Sequence, residues 1–204
     1  MSKTFLDKVY DVEGVDATRD LYDAWSQSYE DEVRDNGYAL PGRAAEALAA
    51  AVEDKTAPIL DFGCGTGLSG LAFKLHGFTH IDGVDLSADM LAQAEGKNVY
   101  TTLTQISADG PKEMDLSPYA AVAAVGVIGA GAAPLDTLQG LFDAMPSGAA
   151  LCFSFNDHTL EDPSFDGYVQ QLFETNRARL LSREYGDHLP VLGINSVVYV
   201  IDKL

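Results

Sequence analysis

The sequence predicts an α/β fold, in which a mostly parallel β-sheet is covered by helices on both faces. Two observations lead to this prediction. Short apolar runs alternate with segments of helical periodicity along most of the 204 residues. The candidate strands are apolar at nearly every position, as expected for strands that are buried on both faces. Right-handed crossovers in such a sheet place a ligand crevice at the carboxyl ends of the strands.

The first half of the chain alternates helices and strands. Residues 17–34 are predicted to be helical because Tyr22, Trp25 and Tyr29 are spaced by three and four positions. Pro41 can begin a second helix, since proline is favoured in a first helical turn. The remaining elements of this half are strands at 58–62, 81–86 and 100–107 and helices at 68–75 and 87–95, the last with Ser87 as its N-cap.

The second half continues the alternation and ends differently. Its candidate strands are 119–127 and 149–155, and its candidate helices are 135–145 and 162–178. The tail then offers two strands close together in sequence, near 179–185 and 194–202. The simplest arrangement for such neighbours is an antiparallel pair.

Composition places the chain among ordinary globular proteins. Apolar residues make up 47% and charged residues 22%, which excludes wholesale disorder. The 13 basic and 31 acidic residues give a formal charge of −18. A surface this negative repels the phosphates of nucleic acids and of anionic membranes, so we expect no nucleic-acid and no membrane partner. Solubility is the simplest role for the charge.

Further patterns bear on metals, location and domain organisation. Cys64 and Cys152 are far apart and lack ligand spacing, so neither a disulfide framework nor a metal site is expected. The N-terminal segment has no apolar core and does not resemble a signal peptide. The uncharged run 116–135 contains prolines and glycines and predicts a strand and a loop. We therefore expect a cytoplasmic protein with one domain over residues 1–204, as a monomer or homodimer.

Glycines and carboxylates that could bind a ligand follow the first three strands. The glycines of 63–67 permit close approach of a ligand, and the helix after Gly67 directs unpaired N–H groups to the same place. Asp85 comes 20 residues after Gly65, a separation that suits a carboxylate binding both ribose hydroxyls. Asp109, after the third strand, could accept a bond from an exocyclic amine. Together these features predict a site for an adenosine that carries an anionic group.

Two cofactors fit this outline, NAD and S-adenosylmethionine. Gly65, Gly67 and Gly70 satisfy the G-x-G-x-x-G pattern of dinucleotide-binding proteins. However, Asp61 and Asp109 add negative charge at the same rim, and no basic residue between 56 and 73 balances a diphosphate. S-adenosylmethionine carries an ammonium and a sulfonium in place of phosphates, and both tolerate acidic surroundings. The charges therefore favour the methyl donor, with NAD as the alternative.

Several segments resemble the class I S-adenosylmethionine-dependent methyltransferases. Residues 59–67, Ile-Leu-Asp-Phe-Gly-Cys-Gly-Thr-Gly, resemble their motif I, and residues 83–91 resemble the next motif. Residues 119–128 and 146–149 resemble the fourth strand and the turn before the fifth. The segment 22–29 is similar to a subgroup of small methyltransferases, the Williams–Beuren-region methyltransferase-like proteins. The resemblance spans roughly residues 19–156 and implies a Rossmann-like three-layer sandwich of seven strands, with the last strand antiparallel.

The resemblance also implies roles around the methionine part of the cofactor. Gly63 and Gly65 would pass under it, and Asp61 would lie near its amino group. Cys64 belongs to the same loop and is interpreted as a small apolar filler at a cofactor-binding position. Gly126, after the fourth strand, would border the methionine.

The resemblance also implies roles around the adenosine part of the cofactor and a helical lid over the site. Asp85 would hold the ribose, Leu86 and Met90 would flank the adenine, and Ala108 and Asp109 would meet its edge. Residues 1–40 would form an N-terminal helical lid, with Tyr22 and Tyr29 over the site. Core packing is the competing interpretation of these aromatic residues.

The expected reaction is direct in-line methyl transfer to a small-molecule acceptor. Residues 124–127, Ala-Val-Gly-Val, replace the Asn/Asp-Pro-Pro-Tyr segment used on planar amino groups, which argues against an adenine-N6 or glutamine methylase. His158 follows the fifth strand and is the candidate catalytic base, although an exposed loop histidine is the competing interpretation. We interpret His76, His80 and His188 as surface residues. A non-catalytic module that binds S-adenosylmethionine or S-adenosylhomocysteine, and an NAD-linked oxidoreductase, remain alternatives.

Overall fold

The computed structural model describes Phe5 and residues 14–107, 110–129 and 131–204. The α-helices of these residues are α1 Val15–Trp25, α2 Tyr29–Asp35, α3 Leu40–Ala51, α4 Leu68–Leu75, α5 Ala88–Glu95, α6 Gly110–Glu113, α7 Leu135–Ala144, α8 Asp157–Leu160 and α9 Pro163–Glu174. The strands are β1 Ile59–Phe62, β2 Ile81–Asp85, β3 Thr102–Gln105, β4 Ala121–Ala124, β5 Ala150–Asn156, β6 Ala178–Leu189 and β7 Ile194–Lys203. A 3₁₀ turn, Pro190–Leu192, connects β6 to β7.

The strands form one sheet in the order β3-β2-β1-β4-β5-β7-β6. Strands β1 to β5 are parallel to one another, whereas β7 is antiparallel to both β5 and β6. The predicted seven-stranded, mostly parallel sheet with an antiparallel last strand is therefore confirmed. Because β1 lies beside β4, the chain leaves this pair of strands in opposite directions, and a crevice opens at their carboxyl ends.

Alternate side chains of the central strands enter two separate apolar layers. In β4, Ala121 and Ala123 pack in the layer that α3 and α4 cover, while Val122 and Ala124 pack in the layer that α7 covers. All four side chains are fully buried. Burial on both faces is the physical reason for the nearly continuous apolar strands of the sequence, and it gives the predicted three-layer sandwich.

The uncharged run 116–135 contains β4 and a connection rich in turns, as its prolines and glycines predict. Among the described residues, no helix combines the length and the apolar character that crossing a bilayer requires.

The single helix predicted over 17–34 is wrong, because the chain breaks at 26–28 and forms α1 and α2 instead. Ser26 Oγ donates a hydrogen bond to the Asp23 carbonyl oxygen at 2.9 Å. Serine side chains compete in this way for backbone groups and weaken a helix interior. The regular aromatic spacing concealed this local break.

Candidate functional site

A first cavity of about 170 Å³ opens at the carboxyl ends of β1, β2 and β4. Nine residues to which the sequence assigned a binding role line it together. They are Tyr22, Tyr29, Gly63, Cys64, Gly65, Asp85, Leu86, Met90 and Gly126. The topology therefore assembles residues that are more than 100 positions apart in the chain, while their individual roles stay predictions.

The glycine loop 63–67 forms one wall of the first cavity. Gly63 and Gly65 have positive φ angles of 68° and 53°, a region that glycine adopts without strain. A Cβ atom on Gly63 would lie 2.5 Å from Val127, so this glycine lets two backbone segments approach closely. A Cβ atom on Gly65 would have no neighbour within 4 Å, so the space beside Gly65 is open.

Backbone N–H groups fix the Asp85 carboxylate in the wall of the first cavity. Its Oδ2 accepts from Gly65 N at 2.8 Å and its Oδ1 accepts from Ser87 N at 2.9 Å. Burial raises the pKa of Asp85, and these two bonds oppose that shift. Ser87 Oγ accepts from Met90 N at 3.0 Å, which confirms the predicted N-cap of α5. The end of β2 and the start of α5 thus hold the carboxylate in position.

Asp61 lies beneath the glycine loop and is only 1% exposed. It is not among the described residues that line the first cavity. Ser69 Oγ and Tyr100 OH each donate to Asp61 Oδ2 at 2.7 Å, while Oδ1 has no partner among the described residues. Burial raises the pKa of Asp61 to about 6, which the two hydrogen bonds partly oppose. The predicted proximity of Asp61 to the amino group of the cofactor stays a prediction.

This shift gives a testable pH dependence. The folded protein holds the Asp61 proton more tightly than the unfolded chain does. The contribution of Asp61 to the free energy of unfolding is therefore fully present below about pH 4 and is lost as the pH rises through about 6. Asp61→Asn should therefore raise the free energy of unfolding at pH 7 by about 1–3 kcal/mol and leave it little changed at pH 4.

Urea denaturation of both proteins from pH 4 to pH 7 measures this difference. Comparing the two proteins also cancels the opposing contribution of His188. Its pKa is lowered, so its contribution is present above about pH 6.5 and lost as the pH falls through about 4. A difference between the two proteins that does not change with pH would contradict the raised pKa of Asp61.

Tyr100 is a partly buried residue beside the site that the sequence did not single out. Its ring fills the space left by two glycines: a Cβ atom on Gly83 would lie 2.9 Å from the ring, and one on Gly70 would overlap it. The third glycine of the G-x-G-x-x-G pattern thus makes room for a tyrosine that donates to Asp61. No local signal in the sequence pairs Tyr100 with these glycines.

Two polar ties attach the N-terminal helices to the rest of the site. Ser87 Oγ, at the start of α5, donates to the Asp23 carboxylate of α1. Lys97, just after α5, pairs with Glu30 of α2. Helices α1 and α2 are thereby held beside α5, which begins three positions after Asp85.

An aromatic cluster on the same two helices faces the crevice. The Trp25 ring centroid lies 5.7 Å from that of Tyr22 and 4.8 Å from that of Tyr29. Trp25 is 2% exposed, so it belongs to a small apolar core, while the two tyrosines also line the cavity. The two tyrosines therefore pack against Trp25 and also border the first cavity, so their positions agree with both interpretations.

A second cavity, of about 70 Å³, adjoins the first. The two share Tyr22, Tyr29, Tyr38, Gly126 and Ala132. None of the lining residues within the described part of the chain is Asp, Glu, Lys or Arg. The remaining lining residues are Trp25, Val33, Ile128, Ser154, Asn156, Thr159, His188 and Leu189.

The structure changes which histidine faces the crevice. The interpretation of His188 as a surface residue is wrong: it lies near the end of β6, is 8% exposed and lines the second cavity. Burial and then the nearby Arg43 lower its pKa to about 4, while Asp157 acts in the opposite direction. His158 is half-exposed, lies 3.7 Å from Glu161, and is not among the described residues that line either cavity. Its catalytic role stays a prediction.

Three further observations complete the description of the site. Ala108 and Asp109, the predicted contacts of the adenine edge, lie outside the described residues, but their neighbours Ile106 and Ser107 line the first cavity. Arg19 of α1, which the sequence did not single out, also lines that cavity and lies 3.2 Å from Asp16. In the part of the chain that the structure describes, no cluster of three or more His, Cys, Asp or Glu residues could hold a metal ion.

Comparisons with known proteins agree on one family. Residues 34–196 match the model of a methyltransferase domain. Methyltransferase-like protein 27 of Homo sapiens is 32% identical over 131 residues, which cover 63% of this chain and 54% of that protein. The chain thus spans about half the length of this curated relative.

Solved structures share the fold. A TehB-like S-adenosylmethionine-dependent methyltransferase from Corynebacterium glutamicum has a TM-score of 0.63 at 18% identity, over 89% of this chain and 99% of that one. A methyltransferase from Geobacter sulfurreducens, solved in complex with S-adenosyl-L-homocysteine, has a TM-score of 0.55 at 15% identity, over 79% of this chain and 91% of that one. Because the family model covers most of its length, the chain belongs to the methyltransferase domain family, and the predicted S-adenosylmethionine-dependent class is confirmed.

Proposed function

We propose that this protein transfers the methyl group of S-adenosylmethionine to a small-molecule acceptor. The observation that carries the proposal is the pair of adjoining cavities, one bordered by the glycine loop and Asp85, the other small, partly aromatic and lined by no Asp, Glu, Lys or Arg among the described residues. A cavity of about 70 Å³ holds a group of a few heavy atoms. The residues shared by both cavities, Tyr22, Tyr29 and Gly126 among them, then border the path of the methyl group.

The described residues of the first cavity fit the cofactor. The open space beside Gly65 admits a ligand against the backbone, and the N-terminus of α4 and Arg19 suit a carboxylate. Asp85 keeps lone pairs with which to accept bonds from ribose hydroxyls. Leu86 and Met90 offer apolar surface to the adenine.

Asp61 fits the cationic end of the same molecule. It is a buried acid beneath the loop that would carry the methionine part, and one of its oxygens has no partner among the described residues. A nearby ammonium favours the ionised carboxylate, so cofactor binding should lower the pKa of Asp61 below about 6.

The chain contributes mainly alignment and exclusion of water. When bound, the cofactor supplies a methyl group on a positively charged sulfur, which is already a good leaving group. The glycine loop and Asp85 hold one reactant, and the second cavity holds the other, which replaces a bimolecular encounter by a fixed geometry. Helices α1 and α2 would act as the described part of the N-terminal lid and keep water from the methyl group.

Turnover against fractionated cell extract tests the acceptor class. The purified protein is incubated with S-adenosylmethionine and, separately, with extract fractions of small molecules, RNA and protein, and the formation of S-adenosylhomocysteine is measured. We expect turnover with the small-molecule fraction. Turnover with only the RNA or the protein fraction would contradict the proposal. Binding of S-adenosylhomocysteine with no turnover in any fraction would support the non-catalytic alternative.

A further inference from the structure

Two residues that line the second cavity carry buried polar atoms with no hydrogen-bond partner among the described residues. The atoms are Trp25 Nε1 and His188 Nδ1, and their residues are 2% and 8% exposed. Both residues line the cavity. A buried polar atom without a partner costs about 1–3 kcal/mol, so native proteins rarely keep one without a reason. Two such atoms on residues that line one cavity indicate that a ligand completes their hydrogen bonds.

The two atoms require different partners. An indole N–H can only donate, so the ligand atom opposite Trp25 must accept a hydrogen bond. His188 is neutral near pH 7, because its pKa is lowered to about 4, and Nδ1 then accepts when the proton is on Nε2. A hydroxyl group both accepts and donates, so it offers the kind of partner that each of the two atoms requires.

The uncharged lining of the second cavity disfavours a charged ligand, and its aromatic residues favour a ring. No lining residue in the described part of the chain carries a formal charge at neutral pH. Arg43 donates to the Asp187 and Glu184 carbonyl oxygens near the end of β6, and its charge next to His188 opposes a cation there. The rings of Tyr22, Tyr29 and Tyr38 provide aromatic walls.

We propose that the second cavity receives the hydroxyl end of an uncharged aromatic hydroxyl compound, a phenol, whose ring lies against the tyrosines that both cavities share, and that His188 accepts the hydroxyl proton as this compound is O-methylated. This proposal rests on the methyl transfer proposed above. The phenolic oxygen forms a bond to the methyl carbon, and the carbon–sulfur bond breaks with its electron pair remaining on sulfur. The hydroxyl proton passes to His188 Nδ1 and is later released to solvent.

A weakly basic imidazole is sufficient for this step. As the new carbon–oxygen bond forms, positive charge develops on the oxygen and its proton becomes strongly acidic. His188 therefore needs to accept the proton only late in the reaction, from a group that holds it weakly. The lowered pKa of His188 has the benefit that the imidazole is unprotonated and ready at neutral pH.

The chain contains one tryptophan, Trp25, and this gives a direct binding assay. Phenol, benzoate and benzyltrimethylammonium carry the same ring with no charge, a negative charge and a positive charge. Each is titrated into the complete chain saturated with S-adenosylhomocysteine, while tryptophan emission is recorded. We expect phenol to change the emission of Trp25 saturably, and the two charged probes to bind at least about tenfold more weakly.

Variants then test His188. His188→Asn should weaken phenol binding by about fivefold to tenfold, abolish most methyl transfer, and leave the affinity for S-adenosylhomocysteine unchanged. His80→Asn is the matched control, because His80 is a partly exposed histidine beside Asp82 and away from both cavities. It should preserve all three properties.

Several results would overturn the proposal. These are an unchanged Trp25 emission with phenol, a charged probe that binds as tightly as phenol, or loss of phenol binding in His158→Asn but not in His188→Asn. The probe comparison uses the wild-type chain and decides the ligand class even where a variant fails to fold. Failure of S-adenosylhomocysteine to bind would instead contradict the proposed function, and the phenol titration without it would still decide what the second cavity binds.

Discussion

Asp85→Asn should weaken the binding of S-adenosylhomocysteine by about 10-fold to 100-fold, or about 1–3 kcal/mol. Both oxygens of the Asp85 carboxylate accept backbone N–H bonds, from Gly65 and from Ser87. An amide in its place turns an NH₂ group toward one of these donors, which loses that bond and disturbs the glycine loop. The substitution also removes the negative charge that we expect at the ribose hydroxyls.

Asp82→Asn is the matched control for this prediction. Asp82 lies three positions earlier on β2 and accepts hydrogen bonds from Thr102 Oγ1 at 2.7 Å and Tyr119 OH at 3.1 Å. It is not among the described residues that line the first cavity. Calorimetric titration should therefore show an unchanged affinity for Asp82→Asn. Equal affinities in the two variants would mean that Asp85 does not hold the ligand.

Gly63→Ala should lower the free energy of unfolding by about 2–5 kcal/mol. Two effects add at this position. Its φ of 68° is unfavourable for a residue with a side chain, and its Cβ atom would lie 2.5 Å from Val127. Val127 lies three positions after the end of β4, so the added atom would separate the two central connections that border the first cavity.

Gly148→Ala separates the two effects. Gly148 has a φ of 87°, but a Cβ atom there would have no neighbour within 4 Å. Gly148→Ala should therefore lower the free energy of unfolding by only about 1–2 kcal/mol, the cost of the backbone strain. Urea denaturation of both variants measures the difference. If the free energy of unfolding falls by the same amount in both variants, then the close packing of Gly63 against Val127 does not contribute to stability.

The parts of the fold and site that local sequence determines could be predicted. The glycine loop, the N-cap at Ser87 and the position of Asp85 depend on neighbouring residues and on the ends of two adjacent strands. The parallel direction of the central strands follows from the alternation of strands and helices, because each intervening helix returns the chain to the same edge of the sheet. Nine of the predicted binding residues meet in one cavity because all of them lie at this edge of the sheet or on the helices above it.

The parts that depend on distant packing could not be predicted. His188 reaches the second cavity because β6 extends to Leu189 along β7, with two register shifts that no short pattern reveals. Tyr100 fits beneath the glycine loop because Gly70 and Gly83, far apart in sequence, leave the same space open. Tertiary contacts create such arrangements, and the residue type at any one position of the sequence does not indicate them.

The central claim is that the first cavity binds S-adenosylmethionine through the glycine loop and Asp85. Calorimetric titration of the wild-type chain with S-adenosylhomocysteine and with NAD tests it most directly. We expect saturable, one-to-one binding of S-adenosylhomocysteine, accompanied by proton release near pH 6 as Asp61 ionises, and no binding of NAD. Binding of NAD without binding of S-adenosylhomocysteine would contradict the claim.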